Sequence, residues 1–381
     1  MTPNKIGFNK PYISGNELAY ISDVLNSKHL SGNGKYTSYC QKYFQDRYGF
    51  RKCLLTTSCT DALEMAALLI GIEPGDEVIV PSYTFTSTAN AFVLFGAKVV
   101  FADSNKDNPN IDVSNIEKLI TSRTKAIIPV HYAGVACDMD VIMEIAERCK
   151  IFVIEDAAQA IDSYYTGKDG IKRPLGSIGH LAAFSFHETK NIISGEGGML
   201  VVNDPAFEKR AEIIWEKGTN RCSFSRGEVD KYNWVDVGSS FLPSEIIAAF
   251  LWAQLEKLDD IQSTRKLHWD NYYLNLSQSS KGDDIQLPVI QDFATNNGHL
   301  FYIVCENLEH RSSLILKLKA KGIIAIFHYL SLHQTPFYIE KNGKFYLSES
   351  ERYADCLLRL PMYYELQQAD IRYICDVIND K

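Results

Sequence analysis

Short apolar runs alternate with amphipathic stretches from about residue 53 to residue 203. The runs are CLLTT (53–57), EVIVP (77–81), KVVFAD (98–103), KAIIPVHY (125–132), IFVIED (151–156), LAAFSF (181–186) and MLVVN (199–203). Between several of them lie helical patterns such as TDALEMAALLIGI and DMDVIMEIAERCK. A strand that is apolar at nearly every position is buried on both faces. Its alternation with helices predicts an α/β fold on a mainly parallel sheet. Sheets of this kind carry their ligands at the carboxyl ends of the strands, so chemistry is expected just after these runs. Near residue 244 a longer helical pattern begins, SEIIAAFLWAQLEKLDDIQ, apolar at Ile246, Ile247, Phe250, Leu251 and Leu255. It reads as a connecting helix. The expected division is a large domain over 1–255, N-terminal arm included, and a smaller α+β domain over 256–381.

Composition narrows the functional classes. A chain of 381 residues with 46% hydrophobic and 23% charged residues is ordinary for a globular protein. No apolar run approaches the roughly 18 residues of a membrane span. The start of the chain, MTPNKIGFNKPYISGNE, has no apolar leader. A cytoplasmic enzyme with no membrane partner is therefore expected. A formal charge of −8 argues against nucleic acid as a partner, which needs a basic surface, while leaving room for a local cationic pocket. The nine cysteines are scattered and form no CxxC pair, so they read as reduced, mostly buried thiols. The nine histidines show no HExxH spacing, and no metal site is expected.

Four segments carry candidate chemistry, each with a plainer reading beside it. In Thr57-Ser58-Cys59-Thr60-Asp61-Ala62 a strand runs into a helix. Free first-turn N–H groups at the positive end of the helix dipole can hold a phosphate, although Ser58 or Thr60 could be an ordinary cap. In IFVIEDAAQA, Asp156 ends a buried strand, where an unpaired carboxylate costs several kcal/mol. It either caps a turn or pairs with a cationic ring nitrogen, keeping that ring protonated as an electron sink. Gln159, three residues on, could reach the same ligand. In AFSFHETKNIISGEGGMLVV, Lys190 follows an apolar strand in a segment too polar for core and too short for a helix. GEGG beyond it permits tight turns. Most lysines are solvated, but this one stands 34 residues after Asp156, near Ser185. Desolvated there, its pKa would fall and its amine could condense with a carbonyl. In PSYTFTSTANA, Phe85 either joins the core or lies flat on an aromatic ring.

Taken in this order, the four segments resemble the sugar aminotransferases of the DegT/DnrJ/EryC1/StrS family. That family is of the aspartate aminotransferase-like fold type I, an α/β fold with a large mainly parallel-sheet domain and a smaller α+β C-terminal domain. The likeness runs from PYISGNEL and LSGNG to LRLPMYYEL. EMAALL, IPVHYAGVAC, FSFHETKN, EKGTNR and LWAQLE are similar to the branch that transaminates TDP-4-keto-6-deoxyhexoses. The resemblance implies pyridoxal 5′-phosphate (PLP) as cofactor, Lys190 as the lysine that carries it and Asp156 as partner of its ring nitrogen. It further implies Gln159 at the ring or its phenolic oxygen, Phe85 stacked on the ring, and Cys59, Thr60 and Ser185 on the phosphate. Tyr329 and His333, in HYLSLH, match a segment bordering the sugar site, and Arg221, in EKGTNR, could meet the substrate diphosphate. Many members carry an Asn and an Arg in a GxNxRM stretch whose Asn reaches a phosphate in the neighbouring subunit. Here Ser240 and Leu242 take those places. A hydroxyl can still donate there, and a homodimer with shared active sites is implied.

The implied reaction moves the amino group of L-glutamate to the C4 ketone of dTDP-4-keto-6-deoxy-D-glucose by ping-pong kinetics. The product would be dTDP-4-amino-4,6-dideoxy-D-galactose, destined for surface polysaccharide such as lipopolysaccharide O-antigen, with the gluco epimer as the alternative. Three rivals stand against this reading. A sugar dehydratase of the same family has histidine in place of the lysine. A non-catalytic regulator would not need Lys190, Asp156 and Gln159 together. A nicotinamide enzyme would show a GxGxxG motif after a strand, and none is present.

Overall fold

The computed structural model describes residues 5–278 and 285–379. Its seven apolar runs form one sheet: β1 (Lys52–Thr56), β2 (Glu77–Pro81), β3 (Lys98–Ala102), β4 (Thr124–Ile127), β5 (Phe152–Asp156), and, after a small hairpin, β8 (Leu181–Ser185) and β9 (Gly198–Val202). The hairpin is β6 (Tyr164–Thr166) with β7 (Lys172–Pro174), too short and polar to stand out in the sequence. Strand order is β1-β9-β8-β5-β4-β2-β3. Pairing is parallel from β8 through β5, β4 and β2 to β3, and β9 runs antiparallel to both its neighbours. The run at 125–132 is strand only to Ile127. Pro129 follows two residues later and has no N–H to continue the ladder.

Alternate residues of each strand feed two cores, one on each sheet face. Leu54, Val78 and Val80 join one cluster, while Cys53, Leu55 and Ile79 join the other. That two-sided burial is why the runs are apolar throughout. Helices cover both faces, among them α1 (Glu17–Ser27), α2 (Lys35–Tyr48), α3 (Cys59–Leu69) and α4 (Thr86–Val93). All nine cysteines are free thiols, six of them buried. Among the described residues no helix is long and apolar enough to cross a membrane.

The pattern after residue 244 is two helices, Glu245–Leu255 and Leu258–Ser277. The break falls where Glu256 turns to accept hydrogen bonds from Tyr20 and Asn16. The second helix starts in the core of the large sheet, with Leu258 and Ile261. It ends against a separate three-stranded antiparallel sheet, with Trp269, Tyr272 and Leu276. That sheet is β10 (Ile285–Gln286), β11 (Phe301–Cys305) and β12 (Leu357–Leu360). Ile6 also belongs to this second core and bridges to Ile323. From there the chain passes Phe8, whose carbonyl accepts from Met362 N–H, to Asn9, whose amide donates to the Glu188 carbonyl. Residues 6–9 thus strap the small sheet to the large one.

Two buried carboxylates fix the N-terminal region to the helix Glu245–Leu255. Glu17 accepts from Ser14 N–H, Gly15 N–H and the Gln254 amide. Glu245 accepts from the N–H groups of Gly34, Tyr36 and Thr37, closing the open first turn of α2. A Cβ at Gly34 would lie 2.7 Å from the Glu245 carboxyl carbon, so a side chain there would push the carboxylate aside. Glu245→Ala leaves those donors buried and unpaired and should cost about 2–4 kcal/mol in urea unfolding. Glu245→Gln keeps one acceptor oxygen and should lose less. An alanine variant as stable as the native protein would show that water replaces the carboxylate.

Candidate active site

The carboxyl ends of β1, β2, β5 and β8 open on a cavity of about 490 Å³, whose lining includes Cys59, Thr60, Phe85, Asp156, Gln159, Ser185, Lys190 and Tyr329. Eight of the residues singled out from the sequence therefore meet in one place.

Asp156 is the last residue of β5. Strand alternation points it into the cavity and its neighbour Glu155 to the other face. Glu155 is fully buried and accepts from His131 and from the N–H groups of Gly176, Ile178 and Gly179, which anchors the strand end. Asp156 is held by the Thr88 hydroxyl at 2.7 Å and the Ala158 N–H at 3.1 Å. Burial pushes its pKa above the ordinary value, against the opposing effects of Thr88, Ala158 and Lys190. A cationic ring nitrogen beside it would supply the missing counter-charge.

Lys190 sits in the loop between β8 and β9. Backbone bonds close that loop: Phe186 with Gly197, Ser194 with Phe186, Glu188 with Gly195, and Lys190 N–H to the His187 carbonyl. The next residue is pinned inside the protein. The Asn191 amide donates to Gln262 and to the Asn297 carbonyl, and its oxygen lies 2.8 Å from His299 Nδ1. Burial lowers the Lys190 pKa, Arg359 lowers it further, and Cys59 and Asp156 pull the other way. The Gln159 carbonyl oxygen accepts from Ala133 N–H at 2.7 Å, which leaves its NH2 facing the Tyr329 hydroxyl at 3.3 Å.

The anion end of the cavity is the N-terminus of α3. Ser58 caps the helix by accepting from Asp61 N–H, which answers the cap question raised by the sequence. The first-turn N–H groups of Cys59 and Thr60 have no acceptor inside the helix. Hydroxyls of Thr60 and Ser87, 2.9 Å apart, and of Ser185 stand beside them. This donor set suits a phosphate. A Cβ at Gly198 would come within 2.3 Å of the Ser58 carbonyl carbon and 2.4 Å of Cys59 N. The last glycine of GEGG therefore allows α3 to seat against β9. Phe85, 58% exposed, caps α4 at the rim with its ring 6.0 Å from that of Tyr329. The residues fit PLP: donors for its phosphate, a carboxylate for its ring nitrogen, an amine for its aldehyde and an aromatic face for its ring.

Three expected site residues lie elsewhere. His333 is fully buried outside the cavity, Nδ1 at 2.7 Å from the Ser82 hydroxyl and Nε2 at 3.0 Å from Glu351. With both ring nitrogens engaged it ties Leu332–Gln334 to the end of β2. Arg221 begins a short exposed helix and Ser240 bridges Glu216 on an exposed segment, neither lining this cavity. Sequence reasoning missed Thr88, Ser87, Asn191, His299 and Arg359. Only Arg359 left a signal, a charged residue inside the apolar strand LLRLP.

The pocket disfavours charge on Lys190, so the amine costs folding free energy. A group whose folded pKa is lowered contributes stability above its ordinary value, 10.5 for lysine, and loses it as pH falls through the folded value. Cofactor-free Lys190→Met should therefore unfold at higher urea than the cofactor-free native chain at pH 7, the gap closing toward pH 10.5. A variant less stable at pH 7 would contradict this. Gly198→Ala should displace the first turn of α3 and weaken cofactor retention on dialysis by roughly tenfold or more. Retention equal to the native protein would count against the phosphate assignment.

Known proteins bear on the same geometry. Residues 11–379 match the model of the DegT/DnrJ/EryC1/StrS aminotransferase family. The spore coat polysaccharide biosynthesis protein SpsC of Bacillus subtilis (strain 168) is 31% identical, covering 98% of this chain and 96% of its own. GDP-perosamine synthase of Escherichia coli O157:H7 is 32% identical, with 97% of each chain covered. The structure of Spr1654 from Streptococcus pneumoniae in its PMP form superposes with a TM-score of 0.89 at 26% identity over 98% of both chains. Its PLP form matches at a TM-score of 0.88. The chain belongs to the DegT/DnrJ/EryC1/StrS aminotransferase family and is a PLP-dependent sugar aminotransferase.

Proposed function

We propose that the protein transfers the amino group of L-glutamate to C4 of dTDP-4-keto-6-deoxy-D-glucose, giving dTDP-4-amino-4,6-dideoxy-D-galactose for surface polysaccharide. The observation that carries the reading is the meeting of Lys190, Asp156 and Gln159 beside the first turn of α3. The choice of sugar rests on the sequence likeness to the C4-amination branch around Phe85, Lys190 and Ser240. A relative named for a nucleotide-linked sugar, GDP-perosamine synthase, supports a nucleotide-bound substrate.

When bound, PLP supplies an electron sink for the carbanion formed at the donor's α-carbon. Asp156, oriented by Thr88 and Ala158, holds the proton on the ring nitrogen. Lys190 would carry the cofactor, and its free amine would take the α-proton of the donor. Burial lowers its pKa, which favours the free amine, the form that acts as a base. Cys59, Thr60 and Ser185 would hold the phosphate, Gln159 would orient the ring side, and Phe85 would cover a ring face. Tyr329 stands where the sugar would enter.

The working unit in this reading is a cytoplasmic homodimer with shared active sites. Arg221 and Ser240 flank an exposed stretch that also carries Tyr232, Trp234, Val235 and Val237. So apolar a face outside its own cavity suits contact with a second copy, whose diphosphate and cofactor phosphate Arg221 and Ser240 would then meet.

Incubation with L-glutamate and dTDP-4-keto-6-deoxy-D-glucose, read by NMR, should give a C4 amine of galacto configuration. Delivery to the opposite face gives the gluco epimer, and the couplings at H4 separate the two. Amination of a 3-keto sugar with none of the 4-keto sugar would sink the proposal. Asp156→Asn should lower turnover by more than about 100-fold, the low end for a catalytic group. Near-native turnover would make Asp156 structural. Sedimentation at assay concentration should give a dimer, and an active monomer would refute shared sites.

A further inference from the structure

His299 lies just before β11, 4% exposed, with its ring on the cavity wall and no assigned task. Its backbone is fixed from both sides. The N–H donates to Asn297 Oδ1 at 3.0 Å, and the carbonyl accepts from the buried Arg265 guanidinium at 2.6 Å. The state of the ring follows from a neighbouring amide. The Asn191 NH2 donates at 2.9 Å to the Asn297 backbone carbonyl, which can only accept, and at 2.7 Å to Gln262. That settles which way round the amide sits, so its oxygen is the atom 2.8 Å from His299 Nδ1. An amide oxygen only accepts, and Nδ1 must therefore carry the proton. Burial, with Lys190, Arg265 and Arg359 nearby, pushes the imidazole pKa well below its ordinary value and keeps the ring neutral. Nε2 is left with a bare lone pair. Among the described residues nothing hydrogen-bonds to it, and the charges its ring feels are cationic.

Building on the transaminase reading above, we infer that His299 Nε2 accepts a hydrogen bond from the Lys190 ammonium formed when the lysine takes the donor's α-proton. In that step the bond between the α-carbon and its hydrogen breaks. Its electron pair passes to the bound cofactor, and the proton joins the free amine of Lys190. The resulting ammonium stands where burial and Arg359 disfavour it. Other polar groups of the cavity are committed. Asp156 serves the ring nitrogen, and the hydroxyls of Thr60, Ser87 and Ser185 stand at the phosphate end. A neutral nitrogen lone pair steadies an ammonium without holding its proton as a carboxylate would, so the proton can still move on. Asn191, the residue after Lys190, thus sets the tautomer of the histidine that serves Lys190.

Two variants separate this role from mere support of the loop. His299→Asn places an amide NH2 where Nδ1–H stood, which keeps the bond to Asn191 and loses the lone pair at Nε2. His299→Gln reaches the Nε2 position and restores an acceptor there. In cofactor-free protein the Lys190 pKa is read from the pH dependence of its acetylation by acetic anhydride, located by peptide mass spectrometry. His299→Asn should lower that pKa by on the order of one pH unit, and His299→Gln should recover part of the loss. A merely loosened pocket admits water and moves the value upward, toward the ordinary 10.5. Cys59, Asp156 and Arg359, which also act on Lys190, are the same in both variants. In holoenzyme the donor half-reaction, with whichever α-amino acid the native enzyme accepts, should slow roughly tenfold or more in His299→Asn at saturating donor. Deuterium at the α-carbon should slow that variant by a larger factor than the native enzyme. Nitrogen-15 NMR of the native cofactor-free protein should show His299 protonated at Nδ1 alone near neutral pH, and this stands as the test if His299→Asn does not fold. A Lys190 pKa unchanged or raised in His299→Asn, or a proton on Nε2, overturns the inference. A native enzyme idle toward α-amino acids would count against the donor assignment, and the acetylation and NMR results would still decide on His299.

Discussion

A buried amine and a buried carboxylate share one cavity without touching. Lys190 and Asp156 form no ion pair, and burial disfavours the charged form of both. A direct bridge would satisfy the two groups and disarm them, since a paired lysine holds its proton and a paired aspartate has none to stabilise elsewhere. Instead each is fixed by neutral neighbours, Asp156 by Thr88 and Ala158, Lys190 through the closed loop and Asn191 beside it. A ring with a cationic nitrogen at one end and a carbonyl at the other answers both needs at once. Stability is spent here for reactivity, as is usual at sites that must stay primed.

The sheet topology makes this separation routine. Because β9 is inserted antiparallel between β1 and β8, the β8–β9 loop returns to the edge where β5 ends and α3 begins. Four chain segments far apart in sequence thus open on one rim, and only their depth below it needs tuning. Gly198 sets that depth for α3 and the anchored Glu155 sets it for Asp156.

Residues whose role depends on a strand end were legible in the sequence. Asp156, Lys190, Phe85 and Thr60 each follow an apolar run, and period and punctuation alone place them at the sheet's edge. Residues whose role depends on packing between distant elements were not. His333 stands four positions from Tyr329, yet the turn Leu332–Gln334 sends it inward to Ser82 while Tyr329 stays in the cavity. Nothing local distinguishes the two. His299 and Asn191 look like ordinary polar residues until the long helix and the Lys190 loop are packed together. The break after Leu255 was hidden because the apolar period continues across it.

The strap at residues 6–9 gives the chain an unusual order of completion. Ile6 bridges to Ile323, and the Phe8 carbonyl meets Met362, so the strap joins segments far apart in sequence. The ring of Phe8 and the amide of Asn9 meanwhile form part of the cavity wall. During synthesis the large sheet can assemble with Asp156 and Lys190 already in it, but the wall stays open until the C-terminal strands emerge. Contacts spanning so much sequence form late. The reactive lysine therefore stands in an open site until residues 6–9 and the small sheet have met.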